Sequence, residues 1–137
     1  PSSREKKAFF KEDLIPIFNS GKLKFIEHSG PFDENIEFSI LNGHTIGQLI
    51  PTIATDKGQM VFSGDFIPSK AHIPVPYIPS QDIQPLISMN EKERFFDKTA
   101  DCNITIMFQH DAVNECCKLT NTPTGVQGTE SFIWGNI

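Results

Sequence analysis

No run of apolar residues in this 137-residue chain approaches the length of a membrane-spanning helix, so a helical membrane protein is not expected. No basic-then-apolar segment reads as a secretory signal. The formal charge is −5 and the basic residues are scattered, which argues against a nucleic-acid partner. Cysteine is scarce. There are three, and two of them, Cys116 and Cys117, are adjacent. Neighbouring cysteines bridge each other only with strain, so no disulfide framework is expected and a reducing, cytoplasmic setting fits better. There is no Gly-x-Ser-x-Gly, no Ser-His-Asp order and no glycine run able to cradle a phosphate. Internal repeats and low-complexity tracts are also lacking. Phenylalanine is abundant: twelve residues, against one Tyr and one Trp. That is apolar area enough for a core, and the length fits one domain spanning residues 1–137. A chain that opens on Pro1 rather than Met is expected to be processed, trimmed or cut from a longer parent.

The pattern predicts mixed α and β structure. Ser2-Ser3-Arg4-Glu5 reads as a capping box, in which Ser2 and Glu5 satisfy each other's backbone amides. A helix should follow, with Ala8, Phe9 and Phe10 on its buried side. Pro16 should kink or end it, and Gly21 offers a left-handed stop. Period-two alternation predicts strands over 22–27 and 35–41, the latter with Ile36, Phe38 and Ile40 on one face. Gly30-Pro31 reads as a turn. Strands are expected near 48–55 and 59–64, joined by a hairpin at Asp56-Lys57-Gly58. Five prolines between 66 and 85 predict a long surface loop. Residues 89–100 look helical, with Met89, Phe95, Phe96 and Ala100 inward and Glu91, Lys92, Glu93 and Arg94 largely toward water. A short strand at 104–108, a helical turn at 114–119 and a last strand at 125–133 complete the reading.

His44, Asp65 and His110 each follow or end one of these strands. Adjacent strands lie only about 4.8 Å apart, so loops leaving neighbouring strands can aim side chains at one point. Imidazole nitrogen and carboxylate oxygen both suit a zinc ion, at about 2.0–2.2 Å. Gly43 and Gly47 bracket His44 and Gly64 precedes Asp65, allowing tight turns there. The remaining candidates are weaker. His72 reads as a loop histidine packed against Pro74 or Tyr77 rather than a group facing a pocket. His28 should be exposed. Asp111 either orients His110 or caps the turn at 112–118. Cys116 and Cys117 lack the partners of a structural zinc site and read as small buried hydrophobes.

Gly43-His44-Thr45-Ile46-Gly47 resembles the Gly-His-Thr-x-Gly turn of the metallo-β-lactamase-fold hydrolases. Phe62-Ser63-Gly64-Asp65 resembles that family's Gly-Asp metal ligand, and Phe108-Gln109-His110-Asp111 resembles the segment carrying its last His. A longer stretch is similar to bacterial members near the lactonase and organophosphate-hydrolase branch: Gly64 to Pro68, His72 to Tyr77, Asp82, Pro85-Leu86 and Glu91-Lys92. Two departures stand out. Gln48 occupies a position where the family often has a second His. The family's His-x-His-x-Asp-His segment is absent from this chain.

The resemblance implies the C-terminal half of an αββα sandwich, with a mixed sheet and outer helices. It implies a site for two divalent ions, most simply zinc, with Asp65 bridging them as the catalytic carboxylate while His44 and His110 hold one ion each. The implied activity is metal-dependent hydrolysis of a small-molecule ester, lactone, amide or phosphoester by a hydroxide generated at the metals. The remaining ligands would come from a missing N-terminal half. The sheet face meant for that half should be wide and apolar, so the chain is not expected to fold independently unless its other half, or a homo-oligomer, covers that face. Two alternatives stay open: a non-catalytic assembly or binding domain, and an iron-containing oxidoreductase on the same scaffold.

Overall fold

A computed structural model describes residues 2–136. Seven strands form one sheet and pair in chain order: β1 (Gly30–Pro31), β2 (Ile36–Leu41), β3 (Gln48–Thr55), β4 (Gly58–Phe62), β5 (Ile104–Met107), β6 (Cys116–Thr122) and β7 (Gly125–Phe132). Every pair is antiparallel except β4 with β5. A parallel pair needs a crossover. Here the crossover is the proline-rich loop followed by helix α2 (Pro85–Thr99). A shorter helix, α1 (Lys11–Asn19), precedes the sheet. Among the described residues no helix is long and apolar enough to cross a membrane.

The strand directions matter most for the site. β2 runs antiparallel to β3, and β3 antiparallel to β4, so β2 and β4 point the same way. β5 is parallel to β4. The C-terminal ends of β2, β4 and β5 therefore lie along one edge, and these are the ends that lead into His44, Asp65 and His110.

The core lies on one face of the sheet. Ile50, Val61, Ile106, Cys117 and Leu119 meet Phe96 of α2 and Phe66, Ile67 and Ile73 of the crossover loop. The buried positions of α2 are Ser88, Lys92, Phe96 and Thr99, one stripe at helical spacing. Phe66 and Phe95 add an edge-to-face pair, with ring centroids 5.5 Å apart. The opposite face carries Ile36, Phe38, Ile40, Ile53, Met60 and Phe62, all only half-buried. That face is apolar across three strands, as expected.

The N-terminal segment departs most from the reading of the sequence. The capping contacts form: the Ser2 amide donates to Glu5 Oε2 at 2.6 Å, and the Glu5 amide to Ser2 Oγ at 3.3 Å. They open only a 3-10 turn, Glu5–Lys7, and the helix begins later at Lys11. Ala8, Phe9 and Phe10 are exposed rather than buried. Helix α1 continues through Pro16 to Asn19 at the cost of one backbone bond. None of its residues is buried, and Leu14, Ile15, Ile17 and Phe18 are 48–65% exposed. Gly21 does adopt the left-handed conformation, at φ 68°.

Residues 22–27 form no strand, because no edge within the described residues pairs with them. Gly30-Pro31, read as a turn, instead pairs with Glu37 and Phe38. The helical turn expected at 114–119 is the start of β6, whose Cys116, Cys117 and Leu119 bury against the sheet. Burial pushes the Cys116 thiol up to about 11 and the Cys117 thiol up to about 12, leaving both as inert core groups. Helix α2 starts four residues before the expected 89, with Pro85 in its first turn, where the missing amide costs nothing. Lys92, expected to face water, is fully buried.

Candidate metal centre

Asp65 sits between the two histidines. Its Oδ2 lies 3.4 Å from His44 Nε2, and its Oδ1 lies 3.0 Å from His110 Nε2. The three side chains picked out from the sequence thus converge, each carboxylate oxygen facing a different imidazole. The site is open on one side: side-chain exposure rises from 13% at His44 to 32% at Asp65 and 54% at His110.

Local chemistry explains the approach. The amide of Ser63, just after β4, donates to Met107 O at 3.0 Å, extending the parallel ladder past the last strand residues. Its buried hydroxyl donates to Ile67 O at 2.6 Å and reaches Met107 O at 3.0 Å. Ser63 therefore ties the turn that carries Asp65 to the end of β5. Gly64 makes that turn with φ 50°, which other residues resist. The His110 amide donates to Pro68 O at 2.9 Å, holding the two loops together.

Asp111 settles as a cap rather than a partner of His110. It accepts from the amides of Val113 and Asn114 at 2.9 and 2.7 Å, and from the Lys70 amide at 2.9 Å. Burial is the largest single influence and raises its carboxyl, but those donors together hold it down at about 2. His72 bonds Ser69 Oγ at 2.8 Å, away from the Asp65 group.

Asp82 lies in an irregular stretch whose pattern gives no signal for this site. Its side chain is 1% exposed, and Oδ1 lies 2.8 Å from His44 Nδ1. That hydrogen bond is the main reason the His44 imidazolium is held above the ordinary histidine range; burial opposes it, and the nearby Asp65 charge adds to it. Ser88 donates to the other Asp82 oxygen. Glu91 lies in a charged run that predicts a water-facing side, yet it accepts from the Asn42 and Gly43 amides at 2.7 and 3.1 Å. Helix α2 therefore grips the His44 turn. Gly43 is required less for its own conformation than for this contact, since a Cβ there would overlap Ser88. Gly47 is the bracketing glycine that needs a positive φ, at 78°.

The spacing of these donors suits a divalent ion. Two ligands each about 2.1 Å from one ion stand roughly 3.0–3.4 Å apart at right-angled to tetrahedral geometry. Both histidine–carboxylate separations fall in that range. Each such pair supplies two donors, however, and among the described residues no group of three or more His, Cys, Asp or Glu side chains is arranged to hold a metal by itself. Each histidine–carboxylate pair therefore has the spacing of two ligands on one ion and lacks a third. Gln48 has a buried Oε1 with no hydrogen-bond partner among the described residues. It lies near Gly64, whose Cβ would sit 3.5 Å from Gln48 Nε2.

The chain matches no protein-family model and no curated protein sequence. It does match solved structures. One is AidC, a dizinc quorum-quenching lactonase: 22% identity, TM-score 0.71, covering 96% of this chain and 46% of that one. A second is AbOPH, a hydrolase of the β-lactamase superfamily: 19% identity, TM-score 0.74, covering 90% and 43%. A third is a probable metal-dependent hydrolase from Staphylococcus aureus: 25% identity, TM-score 0.65, covering 83% and 42%. The chain thus spans less than half the length of these hydrolases. Its fold is that of the C-terminal half of the metallo-β-lactamase fold.

Proposed function

We propose that this chain is the C-terminal part of a metal-dependent hydrolase with a dinuclear centre, acting on a small-molecule ester, lactone, amide or phosphoester. The observation that carries the reading is the position of Asp65, with one oxygen toward His44 Nε2 and the other toward His110 Nε2. A carboxylate placed so could serve two ions, with His44 and His110 as the residues that would hold one each. Divalent ions, most simply zinc, supply Lewis acidity and bring the pKa of a coordinated water down to about 7.

The chain's own residues do the rest. Asp65 would be the residue shared by the two ions. His44, partly buried, is held rigidly, whereas His110 stands at the open side where substrate and water enter. A cavity of about 470 Å³ near the His44 turn, lined by Phe9, Leu14, Ile46 and Ile83 with Ser2 and Glu5, offers room for an apolar substituent.

The other ligands are assigned to an N-terminal half that packs on the apolar sheet face. Two features support that assignment: the half-buried face itself and the incomplete donor pairs. Elemental analysis of the full-length protein tests the proposal. About two divalent ions per chain are expected, and a protein that retains none after zinc loading and desalting would overturn it.

A further inference from the structure

Asp82 is 38 residues from His44 in sequence, yet the backbone brings the two together. The Ile83 amide donates to His44 O at 3.1 Å and the Gln84 amide to Gly43 O at 2.9 Å. Gln84 Nε2 adds a bond to Asn42 O at 2.9 Å. These contacts lay the end of the proline-rich loop along the His44 turn and drive the Asp82 side chain under the imidazole.

The proton assignment follows from what each group can do. A carboxylate has only acceptors. Oδ2 already takes the Ser88 hydroxyl proton, and Oδ1 faces His44 Nδ1. A proton on Nδ1 lets His44 donate to Asp82, whose Oδ1 can only accept. In the neutral ring this leaves the Nε2 lone pair free, on the side of Asp65. His110 differs: among the described residues its ring has a polar contact with Asp65 alone.

We propose that Asp82 is a positioning residue for one of the two ions and not for the other. It fixes the tautomer and rotation of His44 and raises the basicity of Nε2. Ser88 locks Asp82 in turn, and Gly43 leaves the space for Ser88. The inference rests on the dinuclear reading above and goes beyond it by making the two ion sites unequal.

The test is a zinc titration of the full-length protein against a competing chelator, on wild type, Asp82→Asn and Ser88→Ala, with thermal melts of the metal-free forms. Asn keeps an oxygen for His44 Nδ1–H and a group for Ser88, but it removes the charge. Asp82→Asn should hold one zinc as tightly as wild type and the other about 10–100-fold more weakly, with little change in metal-free melting temperature. Ser88→Ala should weaken the same single ion by a smaller factor, and it carries the test if Asp82→Asn fails to fold. Equal loss at both ions, or unchanged affinity for both, would show that Asp82 merely anchors the loop and would overturn the proposal. A wild-type protein that binds no zinc would instead remove the dinuclear reading on which it stands.

Discussion

Asp65→Asn in the full-length protein should abolish most metal binding and almost all turnover. The amide keeps the volume of the side chain but turns one oxygen into a nitrogen without a free lone pair. Whichever histidine that atom faces, one oxygen able to ligate an ion is lost. Both Asp65 oxygens are engaged, at 3.4 Å from His44 Nε2 and 3.0 Å from His110 Nε2, so neither orientation of the amide escapes the loss. Metal content should fall from about two ions to one or fewer. Losing about 4 kcal/mol of transition-state stabilisation corresponds to a drop of about a thousandfold in kcat/KM. Suitable probes are p-nitrophenyl acetate, γ-butyrolactone and bis-p-nitrophenyl phosphate, one for each ester class. Circular dichroism should show an unchanged fold, since Asp65 is partly exposed and outside the core. Wild-type metal content with wild-type turnover would refute the role assigned to Asp65.

Lys92→Met should cost stability rather than chemistry. Its Nζ donates to the carbonyls of His72, Pro74 and Tyr77, the last two at 3.2 and 2.9 Å. The proline-rich loop has few amides of its own to spare, because Pro74, Pro76 and Pro79 carry none. One lysine from α2 supplies donors to three of its carbonyls. Burial pushes the Lys92 ammonium down to about 8, with Asp82 opposing, so it is still mostly charged at neutral pH. Methionine fills similar space but donates nothing. Each stranded carbonyl costs about 1–3 kcal/mol, partly offset by relief of the buried charge, for a net loss of about 3 kcal/mol. A urea titration of the full-length protein reads this directly from the shift in midpoint at constant slope. An unchanged midpoint would mean that the loop is held by other contacts.

Lys92 also marks where the sequence misleads. It lies in Glu91-Lys92-Glu93-Arg94, a run that reads as a solvated face. Two of its four members are turned inward to bind backbone, a need that arises only from the folded loop and the His44 turn. Asp82 was hidden for a related reason. It sits in an irregular stretch with no periodicity, and only the backbone pairing of 83–84 with 43–44 brings it beneath His44. The strand expected over 22–27 had the right alternation but no edge to join. The Cys116–Thr122 strand was missed because its first residues follow a polar turn, and its burial depends on β5 and β7 rather than on its own pattern.

What was legible rested on local chemistry tied to strand ends. The hairpin at Asp56-Lys57-Gly58, the 35–41 and 48–55 strands and the positions of His44, Asp65 and His110 all appear close to where the pattern put them. Glycines at 43, 47 and 64 signalled turns, although Gly43 serves packing against Ser88 rather than backbone freedom.

Anomalous diffraction at the zinc edge from crystals of the full-length protein tests the central claim most directly. The account predicts two peaks flanking Asp65, each about 2.0–2.2 Å from one of its oxygens, one ligated by His44 Nε2 and the other by His110 Nε2. Peaks remote from Asp65, or imidazoles turned away from every ion, would contradict it.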